Sequence, residues 1–143
     1  MLTIRYFALV ALIIGVTPIA TAENYVIPSG VTVLTEEQLL NQIVGNTFLG
    51  GERWAEYHER PTSGQMEGKI KGWHKVYGNY TGKWTINKAL MCWKYDKAYV
   101  TAFSSCFTTA LKENIVTRYK TDGTAYYPRT GSTKLVSGNP KNL

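Results

Sequence analysis

Glu56 and His58 stand two positions apart, and the chain holds one other histidine, His74. Residues two apart on a strand share a face. A carboxylate and an imidazole at that spacing can open a metal site or an acid–base pair. The set stops there. No further ligand follows at metal-binding spacing, no serine occupies a nucleophile elbow, and no glycine-rich phosphate loop follows a strand. The only cysteines are Cys92 and Cys106; bonded to each other, they leave no thiol nucleophile. Glu56–His58 therefore reads as a solvated strand edge. The chain reads as a non-enzyme with no catalytic residues, no metal ligands and no cofactor.

The elements that position these residues are organised around the two cysteines. Placed directly opposite each other in an antiparallel pair, Cys92 and Cys106 set one register for the whole hairpin. Leu90 then faces Thr108, Met91 faces Phe107, Trp93 faces Ser105, Lys94 faces Ser104 and Tyr95 faces Phe103, with the connection centred on Tyr99. Because side chains alternate, Met91, Trp93, Tyr95 and Phe107 share one aromatic face and the sulfurs lie on the other. Facing residues of a non-hydrogen-bonded pair have Cα atoms about 4.5 Å apart, close enough for a disulfide.

Oxidation of that pair requires export. Met1 to Arg5 forms a short basic head, an apolar run extends from Tyr6 to Val16, Pro18 breaks it, and Ala20-Thr-Ala22 presents small residues for cleavage. This is the pattern of a secretory signal, too short to span a bilayer, which needs about 20 apolar residues. Residues 1–22 are expected to leave, and 23–143 to form a single β-rich domain in the periplasm or outside the cell.

Charge is unevenly spread. Residues 23–68 hold seven acidic residues and two arginines, whereas residues 69–143 hold thirteen basic and three acidic ones. A basic cytoplasmic chain would point to nucleic acid. Outside the cytoplasm the available anions are lipid headgroups, lipopolysaccharide and acidic glycans, so no nucleic-acid partner is expected. The competing reading is internal pairing, the acidic half neutralising the basic one.

One helix is expected. Thr35-Glu-Glu-Gln38 is a capping box, Leu39, Leu40, Ile43 and Val44 make one apolar stripe, and Gly45 ends it. So short a helix must dock on a sheet or a barrel opening. From Asn46 onward short strands alternate with turn residues. Met66, Gly68 and Ile70 are expected inward, and Tyr80, Gly82, Trp84 and Ile86 share one face of a half-buried strand. Asp122-Gly123 is a hairpin turn between Ile115–Lys120 and Ala125–Tyr127, and a last strand covers Thr133–Val136. About eight strands at this spacing define a mainly β fold, a small antiparallel barrel or a strongly curved sheet.

The segments Gly45-Asn-Thr-Phe-Leu-Gly50, Gly82-Lys-Trp84, Cys92-Trp93, Cys106-Phe107 and Gly138-Asn-Pro140 near Leu143 together resemble a family of small exported proteobacterial proteins, a domain of unknown function. The resemblance covers nearly all of the chain after the signal. It implies a bacterial, periplasmic, single β-rich domain and supplies no activity. One departure is Arg60-Pro-Thr-Ser-Gly64, which stands where an Asp-Gly type of turn is expected after Tyr57.

Aromatic residues are the remaining resource. Tyrosine and tryptophan combine apolar area with a hydrogen-bonding tip and either fill a core or line a pocket. Tyr80, Trp84, Met91, Trp93 and Phe107 are the candidate lining of a concave interior, with the Leu39/Ile43 helix closing one end. The expected function is non-enzymatic binding of a small amphipathic ligand or an anionic envelope component. The alternative is a protein-binding module or an inhibitor of a cell-envelope hydrolase.

Overall fold

A computed structural model describes residues 25–126 and 132–143. The export signal read at residues 1–22 lies outside the described residues.

Among the described residues nine strands form one antiparallel sheet that closes on itself: β1 (Asn46–Gly50), β2 (Trp54–His58), β3 (Glu67–His74), β4 (Gly78–Asn87), β5 (Leu90–Tyr95), β6 (Ser105–Lys112), β7 (Ile115–Tyr119), β8 (Ala125–Tyr126) and β9 (Thr133–Ser137). Each strand from β1 to β7 pairs with the next, β9 pairs with both β7 and β1, and the ring is complete. The short β8 pairs with Arg118 and Tyr119, and β9 pairs with Ile115 and Val116, so the two follow one another along the same edge of β7. The architecture is an eight-stranded up-and-down barrel with one extra short strand.

Inward-facing glycines let this small barrel hold large side chains. Gly50 lies opposite Trp54, Gly68 opposite Trp84, Gly72 opposite Tyr80 and Gly82 opposite Tyr95. A Cβ on Gly72 would sit 2.1 Å from the Tyr80 ring, and one on Gly68 would sit 2.6 Å from Trp84. Each glycine thus opens the space its aromatic neighbour occupies.

The expected capping box forms: Thr35 N–H donates to Gln38 Oε1 at 2.9 Å, and Gln38 N–H donates to Thr35 Oγ1 at 3.3 Å. The helix it starts is one α turn, Glu36–Gln38, which widens into a π turn over Leu39–Ile43. Val44 N–H closes that turn on the Leu39 carbonyl at 3.1 Å, and Gly45 leaves it at φ +84°. Leu39, Ile43 and Val44 are fully buried in the same apolar cluster as Ile70, Trp84, Ile86 and Met91. The short helix therefore plugs the barrel end at which β1 begins.

The cysteine register is as read from the sequence through four facing pairs, Leu90–Thr108, Met91–Phe107, Cys92–Cys106 and Trp93–Ser105, and Cys92 is bonded to Cys106. Beyond Trp93 it breaks. The connection contains a helical turn, Ala98–Thr101, so Tyr95 and Phe103 do not face each other. Instead Tyr95 N–H donates to Ser104 Oγ at 3.1 Å and Phe103 is 49% exposed. Lys94 likewise has no partner at Ser104, because β6 starts one residue later and Lys94 pairs with Lys83 on the other side. Met66 also departs from expectation: it precedes β3 and is exposed, although its carbonyl accepts from Ile86 N–H at 2.8 Å.

Two segments of the sequence pattern meet in space. Asn46 Oδ1 accepts from Gly138 N–H at 2.9 Å, Thr47 Oγ1 donates to the Gly138 carbonyl at 2.6 Å, and Asn46 Nδ2 donates to the Gln42 carbonyl at 2.8 Å. The Gly45-Asn-Thr segment thereby ties the plug, β1 and the C-terminal segment together. No helix among the described residues is long and apolar enough to cross a membrane.

Candidate functional site

Glu56 and His58 are not a solvated edge. Glu56 is 2% exposed and His58 is fully buried, both projecting into the barrel from β2. Glu56 Oε1 lies 3.1 Å from His58 Nε2, while Oε2 accepts the hydroxyls of Tyr80 at 3.1 Å and Tyr95 at 2.8 Å. Trp93 Nε1–H points at the same His58 Nε2 at 2.9 Å. Phe48 and Trp93 pack on the imidazole, and among the described residues His58 Nδ1 has no hydrogen-bond partner.

A cation completes this interior. Arg118, 8% exposed on the inward face of β7, holds its guanidinium 4.9 Å from the Tyr126 ring centre, 5.3 Å from Trp93, 5.4 Å from Phe107 and 6.0 Å from Phe48. Cation–π attraction of this kind strengthens out of water. Burial by itself would raise the Glu56 carboxyl pKa. The His58 contact, the Tyr95 hydroxyl and the Arg118 charge outweigh burial and hold it below the ordinary carboxylate value. Burial and the Glu56 charge push both phenols well above theirs, so Tyr80 and Tyr95 stay protonated and donate. The cluster is a charge-balanced network, and its groups are mostly spent on one another.

The five aromatic-face residues do converge here. Tyr80, Trp84, Met91, Trp93 and Phe107 are each at most 8% exposed and belong to one packed cluster. Trp84 Nε1–H donates to the Glu59 carbonyl at 3.0 Å, and the Trp93 and Phe107 rings lie 5.9 Å apart. Of these five, Tyr80 alone lines either of the two best-formed depressions on the described residues. His74 stands apart at the β3–β4 turn, where its Nδ1 accepts from Val76 N–H and its ring stacks on Tyr77. Among the described residues no three His, Cys, Asp or Glu side chains are grouped to hold a metal ion.

The outer wall is built differently. Lys69 lies directly opposite Lys83, and Lys83 directly opposite Lys94, across β3, β4 and β5. All three are exposed, and among the described residues none has a carboxylate within ion-pair distance. Neighbouring strands run about 4.8 Å apart, so the three lysine Cα atoms of the row span roughly 10 Å. Like charges directly opposite each other are unfavourable. Internal neutralisation does reach Lys71, whose Nζ lies 2.6 Å from Glu59 Oε1; that carboxylate's hydrogen bond and charge raise the Lys71 pKa. It does not reach the row.

Beside the row a groove of about 570 Å³ runs over the outer face of β2–β4. Its lining includes Trp73, Asn79, Lys71, Thr81 and Lys141, with Ala55 at its base. A smaller depression of about 320 Å³ includes Arg60, Lys69 and Lys83.

Arg118 and the lysine row carry no motif. Outward alternation marks Lys69 and Lys83 in the sequence, yet only the strand pairing aligns them with Lys94. Compared with known proteins, the chain matches no family model, no curated protein and no solved structure.

Proposed function

We propose that this chain is an exported, non-enzymatic binding module that docks an anionic component of the bacterial envelope on the outer wall of its barrel. The observation that carries this reading is the row Lys69–Lys83–Lys94, three exposed and unpaired cations aligned across adjacent strands. A protein gains nothing for its fold from that alignment, whereas an anionic partner would neutralise all three charges at once. The disulfide supports an extracytoplasmic setting, as does the resemblance of the sequence pattern to small exported proteins.

The test is binding of lipopolysaccharide, polygalacturonate and phosphatidylglycerol vesicles to the protein and to its K69Q/K83Q/K94Q variant. At least one probe should bind with an affinity that falls as salt rises, and the variant should lose that binding. Equal binding by the variant, or no binding of any probe, overturns the reading. Export predicts a mature N-terminus at Glu23, checked by N-terminal sequencing of protein recovered from a bacterial periplasm.

A protein partner is the second reading. It rests on the β3–β4 turn, where Val76 is 70% and Tyr77 37% exposed. Native mass spectrometry of periplasm-derived protein would show a stoichiometric protein complex in that case.

A further inference from the structure

Trp73 stands out among the tryptophans. Trp84 and Trp93 are at most 2% exposed in the core, whereas Trp73 is 37% exposed on the outer wall. The strand register surrounds it with hydrogen-bonding groups: Trp73 lies opposite Asn79, and Lys71 lies opposite Thr81. Two adjacent cross-strand pairs thus present an indole and an amide beside an ammonium paired with Glu59 and a hydroxyl that donates to Asp96. The base of the groove at Ala55 is a small side chain that leaves depth beside the indole.

The opposite rim is held in place. Asn139 Nδ2 donates to the Leu143 carbonyl and its Oδ1 accepts from Leu143 N–H, both at 3.0 Å. The turn so closed carries Lys141 and Asn142 to the edge of the groove, and Gly138 before it is anchored on Asn46 and Thr47. Among the described residues Lys141 has no ion-pair partner, whereas Lys71 is engaged by Glu59. The groove therefore offers one uncommitted ammonium, facing an exposed aromatic surface across a rim set by hydrogen bonds.

We infer that this groove is a saccharide subsite that takes a carboxylated sugar, the uronic-acid unit of an acidic glycan. The inference rests on the outer-wall reading above and assigns it a ligand class. A pyranose ring presents an apolar C–H face that stacks on the Trp73 indole, and its hydroxyls meet Asn79 and Thr81. Its carboxylate pairs with Lys141, while further carboxylates along the chain reach the Lys69–Lys83–Lys94 row. At about 570 Å³ the groove falls in the size range of small-ligand sites. Rims held by hydrogen bonds in the free protein lower the ordering cost of binding.

The experiment uses isothermal titration and tryptophan emission with oligogalacturonate, a neutral cello-oligosaccharide of equal length, and phosphatidylglycerol vesicles. Oligogalacturonate should bind and shift the emission, and the neutral oligomer should bind about tenfold more weakly or not at all. Trp73→Ala should weaken oligogalacturonate binding about tenfold, Trp73→Phe much less, and Lys141→Gln should reduce both affinity and salt dependence. Thermal melting of all three variants should match the parent, since these side chains lie outside the core. Unchanged binding by Trp73→Ala or binding confined to the vesicles overturns the saccharide assignment, and equal binding of the neutral oligomer overturns the choice of a carboxylated sugar. The two readings separate cleanly. Loss in K69Q/K83Q/K94Q with none in Trp73→Ala keeps the basic wall and removes the groove. Loss in Trp73→Ala with none in the triple variant does the reverse.

Discussion

The two faces of the barrel wall are made by the same strands, and they treat charge in opposite ways. Inside, the Glu56 carboxylate meets two phenols and an imidazole, and Arg118 lies among four aromatic rings. Outside, Lys69, Lys83 and Lys94 stand side by side with no counter-ion among the described residues. The difference follows from water. A buried charge costs several kcal/mol unless the protein itself compensates it, so the inner groups are consumed by the fold. An exposed ammonium is solvated at little cost and remains free for a partner. Chemistry-bearing residues inside this barrel therefore hold it together, and the recognition proposed above is assigned to the outside.

The largest expected effect tests the inner half of that contrast. Glu56→Ala leaves two buried hydroxyls without their acceptor and removes the buried charge that offsets Arg118, and should cost about 3–5 kcal/mol in urea unfolding. A loss under about 1 kcal/mol would show that the network is dispensable to the fold.

The disulfide is the one part of the outer wall expected to act on stability. Replacing Cys92 and Cys106 by serine should cost about 3 kcal/mol by releasing the closed loop. Non-reducing peptide mapping of protein recovered from a bacterial periplasm checks that the bond is present. A comparable inner-wall effect is expected of Gly72→Ala, whose new methyl meets the Tyr80 ring and should cost about 1–3 kcal/mol.

Acidity gives a further probe. The Glu56 pKa in the folded state lies below its ordinary value of 4.5, so its ionised form favours folding. That contribution is complete above about pH 4.5 and is lost as the pH falls through the lower folded value. Glu56→Gln should therefore flatten the acid side of the stability–pH curve, while curves above about pH 6 stay parallel to the parent. An acid limb unchanged in the variant would move the source of acid sensitivity elsewhere.

The smallest stability effect belongs to the outer wall. K69Q/K83Q/K94Q removes unfavourable like-charge neighbours and should leave stability unchanged or raise it by less than about 1 kcal/mol. The same variant is expected to lose anion binding. A large destabilisation would mean that the row belongs to the fold after all.

Much of the barrel was legible. Alternation over Asn79–Ile86 placed Tyr80, Trp84 and Ile86 inward, and the assumption that Cys92 faces Cys106 fixed four cross-strand pairs. The capping box at Thr35 and Gln38 marked the helix start. β2 was not legible in the same way. A period of two says that Trp54, Glu56 and His58 share a face, but polarity pointed that face to solvent. The error has a physical source: a polar residue goes inside when its partners await it there, and those partners sit on β4 and β5.

Local rules thus determined the strands, the capped turn and the hairpin register, because each depends on residues close in sequence or on one covalent bond. Tertiary structure alone decided that Glu56, His58 and Arg118 share the interior. It alone aligned Lys69, Lys83 and Lys94, and brought Lys141 to the rim facing Trp73. These arrangements arise where strands meet and where the barrel closes, and side chains from distant segments become neighbours only once every register in the ring is set.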